Sequence, residues 1–152
     1  MMQVIHGKTN TGALAQGFLR LLSNYVESKN TYLPQSVIEI SFFEDLLIVF
    51  WRLLHSNPNF LEEVVQSPGV MEKAMTAVLL CFDMNKKDPH KSNMLYICVF
   101  ILLTMSSSRE FSLLLNEQQQ QTGLPFDLPD HVSTTYGNLL IAVIFRAIQV
   151  GP

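Results

Sequence analysis

Two stretches of this chain share one pattern of apolar and polar residues, and they begin about fifty residues apart. They are LLIVFWRLLHSNPNF at Leu46–Phe60 and ICVFILLTMSSSREF at Ile97–Phe111. Each predicts an apolar helix, a polar break and a phenylalanine in the first turn of a short second helix. A partial third copy, LLIAVIFRAIQ at Leu139–Gln149, begins 93 positions after the first, or twice about 46, a spacing typical of two- and three-helix solenoid repeats. Such repeats stack on one another and usually provide binding surfaces.

The sequence therefore predicts an all-α fold, an armadillo- or HEAT-like helical repeat segment of about six to seven helices in a single domain over residues 1–152. One helix, from Phe42 to Ser56, has apolar residues around most of its circumference, so we expect it to be central. The run Met94–Met105 is shorter than the twenty or so residues of a membrane span, so we expect a buried helix. The remaining predicted helices are Gly12–Ser28, Asn59–Gln66, Val70–Met84, Phe111–Leu115 and a last helix ending near Gly151.

Hydroxyl residues mark several predicted helix starts, because a serine or threonine side chain can accept a hydrogen bond from an early backbone N–H. Two of these are followed three positions later by glutamate, the spacing of a capping box. The predicted caps are Ser41 with Glu44, Ser92 or Asn93, Ser107 with Glu110, and Ser133 or Thr134.

A long loop insertion is predicted at residues 116–135, where the helical pattern is lost. The tract Gln118–Gln121 is followed by glycine and two prolines, which favours a flexible loop. Phe126 and Leu128 are the residues that would anchor it to the core.

The composition is short of charge for a soluble domain: 15% of residues are charged, against a usual share of about 25%. Either the helices pack unusually tightly, or some apolar faces lie against a partner, a membrane or further parts of a longer protein, and we favour the last. The net charge is −3, and the basic residues form no nucleic-acid footprint. Lys86, Lys87 and Lys91 are interpreted as a solvated loop.

Catalytic, cofactor-binding and metal-binding residues are not indicated by any motif, so we expect no enzyme activity, no cofactor and no small-molecule substrate. The four histidines fall in predicted termini or breaks, and the close acidic pairs lack the further ligands of a metal loop. These residues are His6, His55, His90, His131, Glu62, Glu63, Asp127 and Asp130.

The two cysteines, Cys81 and Cys98, lie inside apolar runs and are expected to be buried thiols in a protein of a reducing compartment. A disulfide between them is an alternative with less support.

Aromatic residues within apolar helices are also expected to be core residues. On that basis alanine at Phe50 or Phe100 should destabilise the chain by roughly 3–5 kcal/mol. The other aromatic residues assigned to the core in this way are Trp51, Tyr96 and Phe145.

The N-terminal segment MMQVIHGKTN has neither the pattern of a secretory signal nor the Met-Gly start of an acylation signal.

Several motifs, in order along residues 31–149, resemble the dymeclin family, specifically the branch named for high-temperature-induced dauer formation. They are TYLPQS at Thr31–Ser36, FFEDLLIVFWRLL at Phe42–Leu54, LYICVFILL at Leu95–Leu103, REFSLLLN at Arg109–Asn116 and YGNLLIAVIF at Tyr136–Phe145.

This resemblance implies a Golgi-associated peripheral membrane protein of helical repeats, without catalytic activity, that supports vesicle trafficking and the sorting of secretory, dense-core vesicle cargo. It implies a cytoplasmic location at the cytosolic face of the Golgi and trans-Golgi network, and other trafficking proteins as partners. The chain departs from the family in length, in its missing acylation signal and in the glutamine tract. It is therefore expected to be an internal fragment, a short gene product or a truncated isoform of a longer solenoid. The alternative function is a module that binds membranes directly through an exposed apolar helix face.

Overall fold

The computed structural model describes residues 2–29, 42–118, 126 and 135–150. Within these ranges the chain forms seven α-helices, a 3-10 turn at Pro89–Lys91 and no strand longer than an isolated bridge between Gln118 and Thr135. The all-α prediction and the expected number of helices are confirmed. The helices are α1 (Met2–Lys29), α2 (Phe43–Ser56), α3 (Pro58–Gln66), α4 (Pro68–Asn85), α5 (Ser92–Ser106), α6 (Arg109–Leu115) and α7 (Tyr136–Val150).

The helix at the centre of the fold is α4, which packs against α1, α3, α5, α6 and α7. Every residue from Ala74 to Cys81 is buried, because neighbouring helices cover α4 on several sides. The small side chains Ala74 and Ala77 allow those neighbours to approach closely. The expectation that α2 is contacted on several sides is confirmed, because α2 packs against α3 and α5 and its Phe43 and Phe50 contact aromatic rings of α1, but α4 has more neighbouring helices.

Two consecutive units of three helices have the same long, short, long order: α2–α3–α4 and α5–α6–α7. Equivalent helices of the two units stack on each other, α2 on α5, α3 on α6 and α4 on α7, and α1 stacks on α4 as well. We call α2–α3–α4 the first repeat and α5–α6–α7 the second repeat. This stacking of equivalent elements is what defines a solenoid.

The partial copy at Leu139–Gln149 is not a second counterpart of α2. It lies in α7, which packs against α4 and α6 in the position that α4 occupies one repeat earlier. A stripe of apolar residues at helical spacing is common to every amphipathic helix, so pattern alone does not distinguish a first helix from a third.

The first two copies are true equivalents, since their buried residues coincide at an offset of 51 positions. The first helix of each repeat buries the same face toward the interior, and the short second helix buries its phenylalanine. The equivalent buried pairs are Leu47 and Cys98, Phe50 and Ile101, Leu54 and Met105, and Phe60 and Phe111.

The break before each short helix is closed by the same kind of cap. The side chain of Asn57 accepts hydrogen bonds from the backbone N–H groups of Asn59 and Phe60, at 3.1 and 3.2 Å. One repeat later, the Ser108 hydroxyl oxygen accepts from the N–H of Phe111 at 3.3 Å. Both caps satisfy donors that have no partner within the helix.

Several predicted caps were wrong by one residue. Ser107 donates its hydroxyl proton to the Thr104 carbonyl at 2.7 Å, because it still belongs to the last turn around α5. Ser92 is already the first residue of α5 and donates to the Pro89 carbonyl at 2.8 Å, so neither it nor Asn93 is the cap.

The starts of α2 and α7 also lie one residue beyond the predicted caps. Phe42 takes the cap position of α2 without a side-chain hydrogen bond. At α7 the Thr135 hydroxyl oxygen accepts from the N–H of Asn138 at 3.2 Å. The predicted caps Ser41, Ser133 and Thr134 lie outside the described residues.

Three aromatic rings hold α1, α2 and α3 together. The ring centroid of Phe18 is 5.1 Å from that of Phe50 and 5.7 Å from that of Phe60, and the last two are 5.9 Å apart. The edge-to-face arrangements suit the aromatic quadrupole. Farther along α1, Tyr25 stacks on Phe43 with centroids 3.8 Å apart.

The helix α7 is fastened to α4 and α6 at its N-terminal end. The buried Tyr136 donates its phenol proton to Glu72 of α4. At Gly137 the backbone approaches α6 so closely that an added Cβ would lie 2.9 Å from the Leu115 carbonyl oxygen.

In the preceding segment Phe126 packs against the core, as predicted, whereas Leu128 and residues 119–121 of the glutamine tract fall outside the described residues.

Candidate interaction surface

Three of the aromatic residues that we assigned to the core are exposed. Tyr96, Phe100 and Phe145 retain 63%, 42% and 58% of their accessible surface, and Trp51 is half-buried. Phe100 packs against Trp51 with ring centroids 5.5 Å apart, which covers one side of each ring. The prediction failed because α5, which carries Tyr96 and Phe100, and α7, which carries Phe145, are apolar around most of their circumference but are covered on only part of it.

The helix α5 presents one face to α4, and that face holds its buried residues Met94, Cys98, Ile101 and Met105. At 100° per residue, Phe100 lies on the flank toward α2, where it meets Trp51. Val99, Leu102 and Leu103 lie on the opposite flank. The expectation that Met94–Met105 forms a buried helix therefore holds for one face only.

That second flank of α5 forms one wall of an apolar groove, which we call the α5–α7 groove. Its volume is about 200 Å³. The other wall is provided by α7, the floor by α4, and one end by the first turn of α6. The lining residues, of which Ser106 alone is polar, are Leu79, Phe82, Val99, Leu102, Leu103, Ser106, Phe111, Leu140 and Ile144.

Beside this groove α7 carries a stripe of exposed apolar side chains, Ile141, Phe145 and Ile148, which we call the α7 stripe. All three are more than half exposed, and Ile148 retains 73% of its surface. They lie on the side of α7 opposite the buried Val143. Together, the groove and the stripe make a contiguous apolar surface of the kind that marks an interaction site.

A second depression, of about 430 Å³, lies between α3, α4 and α6. It differs from the α5–α7 groove in carrying two carboxylates, Glu110 and Glu117, beside the exposed Leu113. Its mixed lining suits solvent and loosely bound polar groups better than a large apolar side chain.

The two cysteines are buried and adjacent, with free thiols in a contact between α4 and α5. The hydrogen bond to Cys81 and burial both raise the pKa of the Cys98 thiol well above its usual range. Both thiols are inaccessible to solvent, and a buried thiol behaves as a small apolar side chain, so this pair belongs to the core.

The lysine group after α4 is less solvated than we predicted. The Lys86 ammonium lies 2.8 Å from the Asp83 carboxylate and also donates to the Asp83 carbonyl oxygen at 2.7 Å, with both side chains largely buried. The tight turn that ends α4 folds the lysine back on its own helix, where a cation is favoured. Lys87 is exposed, and Lys91 lies 4.0 Å from Glu44 of α2.

Among the described residues no group of three or more histidine, cysteine, aspartate or glutamate side chains is placed to hold a metal ion. His55 stacks on Trp51 at 5.7 Å, His90 is exposed, and Glu62 accepts a hydrogen bond from Gln66 at 3.2 Å. His131, Asp127 and Asp130 lie outside the described residues, as does the side chain of His6.

In the part of the chain that the structure describes, no single helix has both the length and the apolarity to cross a membrane. The two segments Pro89–Ser106 and Arg109–Leu115 meet that test only as a pair, and they are bent by 107° at the break between them.

The sequence analysis did not predict the groove residues, although one feature of the sequence indicated them. A helix buried on one face needs one apolar stripe, and α5 carries a second that includes Val99 and Leu103. Such an excess indicates a further contact.

Known proteins match this chain over nearly its whole length. The family model described as "Dymeclin: Dyggve-Melchior-Clausen syndrome protein" matches residues 3–152. Protein HID1 of Homo sapiens and that of Mus musculus are each 33% identical over 147 residues, which are 97% of this chain and 18% of the relative. Protein HID1 of Dictyostelium discoideum is 27% identical over 139 residues, 89% of this chain and 14% of the relative.

No solved structure matches the chain. The chain spans about a fifth or less of the length of these curated relatives. Because the family model covers residues 3–152, the resemblance noted in the motifs is confirmed, and the chain belongs to the dymeclin family.

Proposed function

We propose that this chain is an interaction segment of a non-catalytic helical scaffold that acts at the cytosolic face of the Golgi and trans-Golgi network. In that role it supports vesicle trafficking and the sorting of dense-core vesicle cargo, with other trafficking proteins as partners. The location and the process come from the family resemblance, and the scaffold role is supported by the stacked helical repeats.

The single observation that carries the scaffold role is the α5–α7 groove. A groove with one polar residue in its lining suits an apolar protein segment and offers little to orient a polar substrate. Its walls come from the first and third helices of the second repeat, so the groove belongs to the repeat architecture itself.

The experiment is imaging of the tagged chain beside a Golgi marker in secretory cells. We expect Golgi enrichment, and we expect Leu103→Glu, which places a charge in the wall of the groove, to disperse it. Val49→Glu is the matched control, because Val49 is half-exposed on α2 and lies outside the groove. A diffuse signal from a folded wild-type chain would count against the proposal.

A second candidate is direct membrane binding, and the observation that favours it is the α7 stripe. Interfacial helices bury such a stripe among lipid headgroups and usually carry several lysine or arginine residues on the polar face. Within α7 the basic residues are limited to Arg146, so we rank this candidate second. Flotation with liposomes of Golgi-like composition tests it: wild-type chain that floats, and Phe145→Glu chain that does not, would establish membrane binding.

A further inference from the structure

We propose that Cys81 and Cys98 form a redox-sensitive thiol pair, which closes to a disulfide bond under oxidising conditions and joins α4 of the first repeat to α5 of the second. The inference is independent of the proposed function, because it concerns the contact between the two repeats and not the α5–α7 groove. It depends on the position of the two thiols, the hydrogen-bond donors around Cys81 and the exposed connection between the two helices.

The two cysteines lie on different helices and meet where α4 packs against α5. Both thiols are free and fully buried, and they are hydrogen-bonded to each other. A disulfide requires two cysteines whose Cβ atoms are close and whose side chains point toward each other. The hydrogen bond between the thiols shows that these two side chains point toward each other in the reduced chain.

The surroundings of the two thiols are unequal. The Asn85 side-chain nitrogen donates to the Cys81 sulfur at 3.8 Å, and the Cys98 thiol and the Tyr25 hydroxyl also donate to it. The hydrogen bond from Cys98, those from Tyr25 and Asn85, and the charge of Lys91 lower the pKa of the Cys81 thiol although burial opposes them. Cys81 therefore ionises before Cys98, and the thiolate is the form that attacks a disulfide.

This asymmetry gives each sulfur a separate role in disulfide exchange. The Cys81 thiolate attacks one sulfur of a small-molecule disulfide, glutathione disulfide, which forms a mixed disulfide and releases one glutathione thiolate. The Cys98 thiol then passes its proton to that thiolate and attacks the Cys81 sulfur, and the second glutathione leaves as a thiolate that solvent protonates. Two protein thiols are thereby oxidised to one disulfide, and one glutathione disulfide is reduced to two thiols.

Access to the pair is provided by the connection between α4 and α5. Cys81 and Cys98 each lie near the helix end that this connection joins, and its Lys87 and His90 are exposed. An exposed segment of this kind opens locally at a lower free energy than the whole chain unfolds. The thiols are therefore core residues in the closed state, and they react when the connection opens.

The disulfide changes how the two repeats are held together. In the reduced chain α4 and α5 are held by packing, whereas the bond between Cys81 and Cys98 closes a covalent loop across the contact. Such a loop stabilises a protein mainly by restricting its unfolded chain. Disulfides of reducing compartments are usually transient and redox-sensing, so the bond would report an oxidising change in the surroundings.

The test is incubation of the purified, folded chain in a series of glutathione redox buffers, followed by rapid alkylation of the remaining thiols and mass spectrometry. We expect both cysteines to become protected from alkylation together, with the loss of two hydrogen atoms and a linked peptide pair that contains Cys81 and Cys98. The oxidised chain should unfold at a temperature roughly 5–10 °C higher than the reduced chain. Dithiothreitol should reverse both changes.

Single variants separate the roles of the two sulfurs. Cys98→Ala retains the attacking thiol and lacks the second one, so it should accumulate the mixed disulfide of Cys81 with glutathione. Cys81→Ala should form its mixed disulfide at least about ten-fold more slowly, because the remaining thiol is less ionised. Circular dichroism shows whether each variant is folded, and the wild-type measurement stands without them.

The proposal is overturned if both thiols stay reduced in every buffer while the chain remains folded. It is equally overturned if glutathione adducts form on both cysteines without an internal disulfide, or if the disulfide forms only after denaturant has unfolded the chain. Equal rates for the two single variants would contradict the assignment of Cys81 as the attacking thiol.

Discussion

The first and second repeats bury the same positions of their leading helices, yet they differ in what remains exposed. In α2 the flank that carries Trp51 is covered by α5, which is the next helix in the stack. In α5 the corresponding flank, with Val99 and Leu103, is the open wall of a groove. The inward face of a solenoid helix is thus set by its own repeat, whereas the cover of its flank depends on the neighbour.

The contrast between Phe50 and Phe100 shows this difference in two side chains of the same type. Phe50 lies in a run of apolar residues on α2 and is fully buried between Phe18 and Phe60. Phe100 lies in an equally apolar run on α5 and retains 42% of its surface. Residue type and local pattern therefore do not predict burial in a helix that is apolar all round.

The largest expected effect is that of Phe50→Ala, which should destabilise the chain by about 3–5 kcal/mol because it empties the center of the aromatic cluster. Phe100→Ala should cost less than about 1.5 kcal/mol, because much of the ring is already in water. Urea denaturation followed by circular dichroism measures both. Equal losses of stability in the two variants would contradict the distinction between the buried inward face of α2 and the partly exposed flank of α5.

Next in size is Gly137→Ala, expected to cost about 1–3 kcal/mol because the new methyl group meets the Leu115 carbonyl oxygen and forces the start of α7 away from α6. Gly69→Ala is the control, since an added Cβ there meets nothing within 4 Å. Thermal unfolding of the two variants would show whether α7 belongs to the same cooperative unit as the first repeat. An unchanged transition for Gly137→Ala would indicate that it does not.

The caps of the two short helices should have similar effects, since they occupy equivalent positions. Asn57→Ala and Ser108→Ala are each expected to lower the free energy of unfolding by about 1 kcal/mol. Ser107→Ala, one residue before the true cap, should change it by less than about 0.5 kcal/mol. If Ser107→Ala were the more damaging change in chemical denaturation, the cap assignment for α6 would be wrong.

The smallest expected change in stability is that of Leu103→Glu, within about 0.5 kcal/mol, because Leu103 is 61% exposed. Val49→Glu on α2 should be equally mild. Differential scanning calorimetry at low protein concentration measures the unfolding of the single chain without a contribution from association between copies. If Leu103→Glu alone lowered the free energy of unfolding by several kcal/mol, the Leu103 side chain would belong to the core and the groove would not be open to solvent.

Much of the fold was predictable from particular residues. The matched runs Leu46–Phe60 and Ile97–Phe111 predicted two helix–break–helix units, and both were confirmed down to their buried phenylalanines. Cap positions were less certain because several serines adjoin each break, and hydrogen bonds to the preceding turn compete for the same hydroxyl group. The start of α1 was predicted at Gly12, but the helix begins at Met2.

The candidate site was less predictable than the fold. The sequence motifs identified the family, which the match over residues 3–152 confirms. They did not reveal the α5–α7 groove. The groove combines residues of α4, α5, α6 and α7 that are far apart in the chain, and one sequence does not show which helices become neighbours.

By itself, the sequence of this protein determined where most of the helices form and how the first two helices of each repeat correspond. These are local properties, because helical spacing and capping depend on residues within a few positions of one another. Only the tertiary structure decided that α4 is central, that α7 stacks on α4 and that one flank of α5 is left open. Those outcomes depend on which helices pack against one another, because an apolar side chain is buried only where a neighbouring helix covers it.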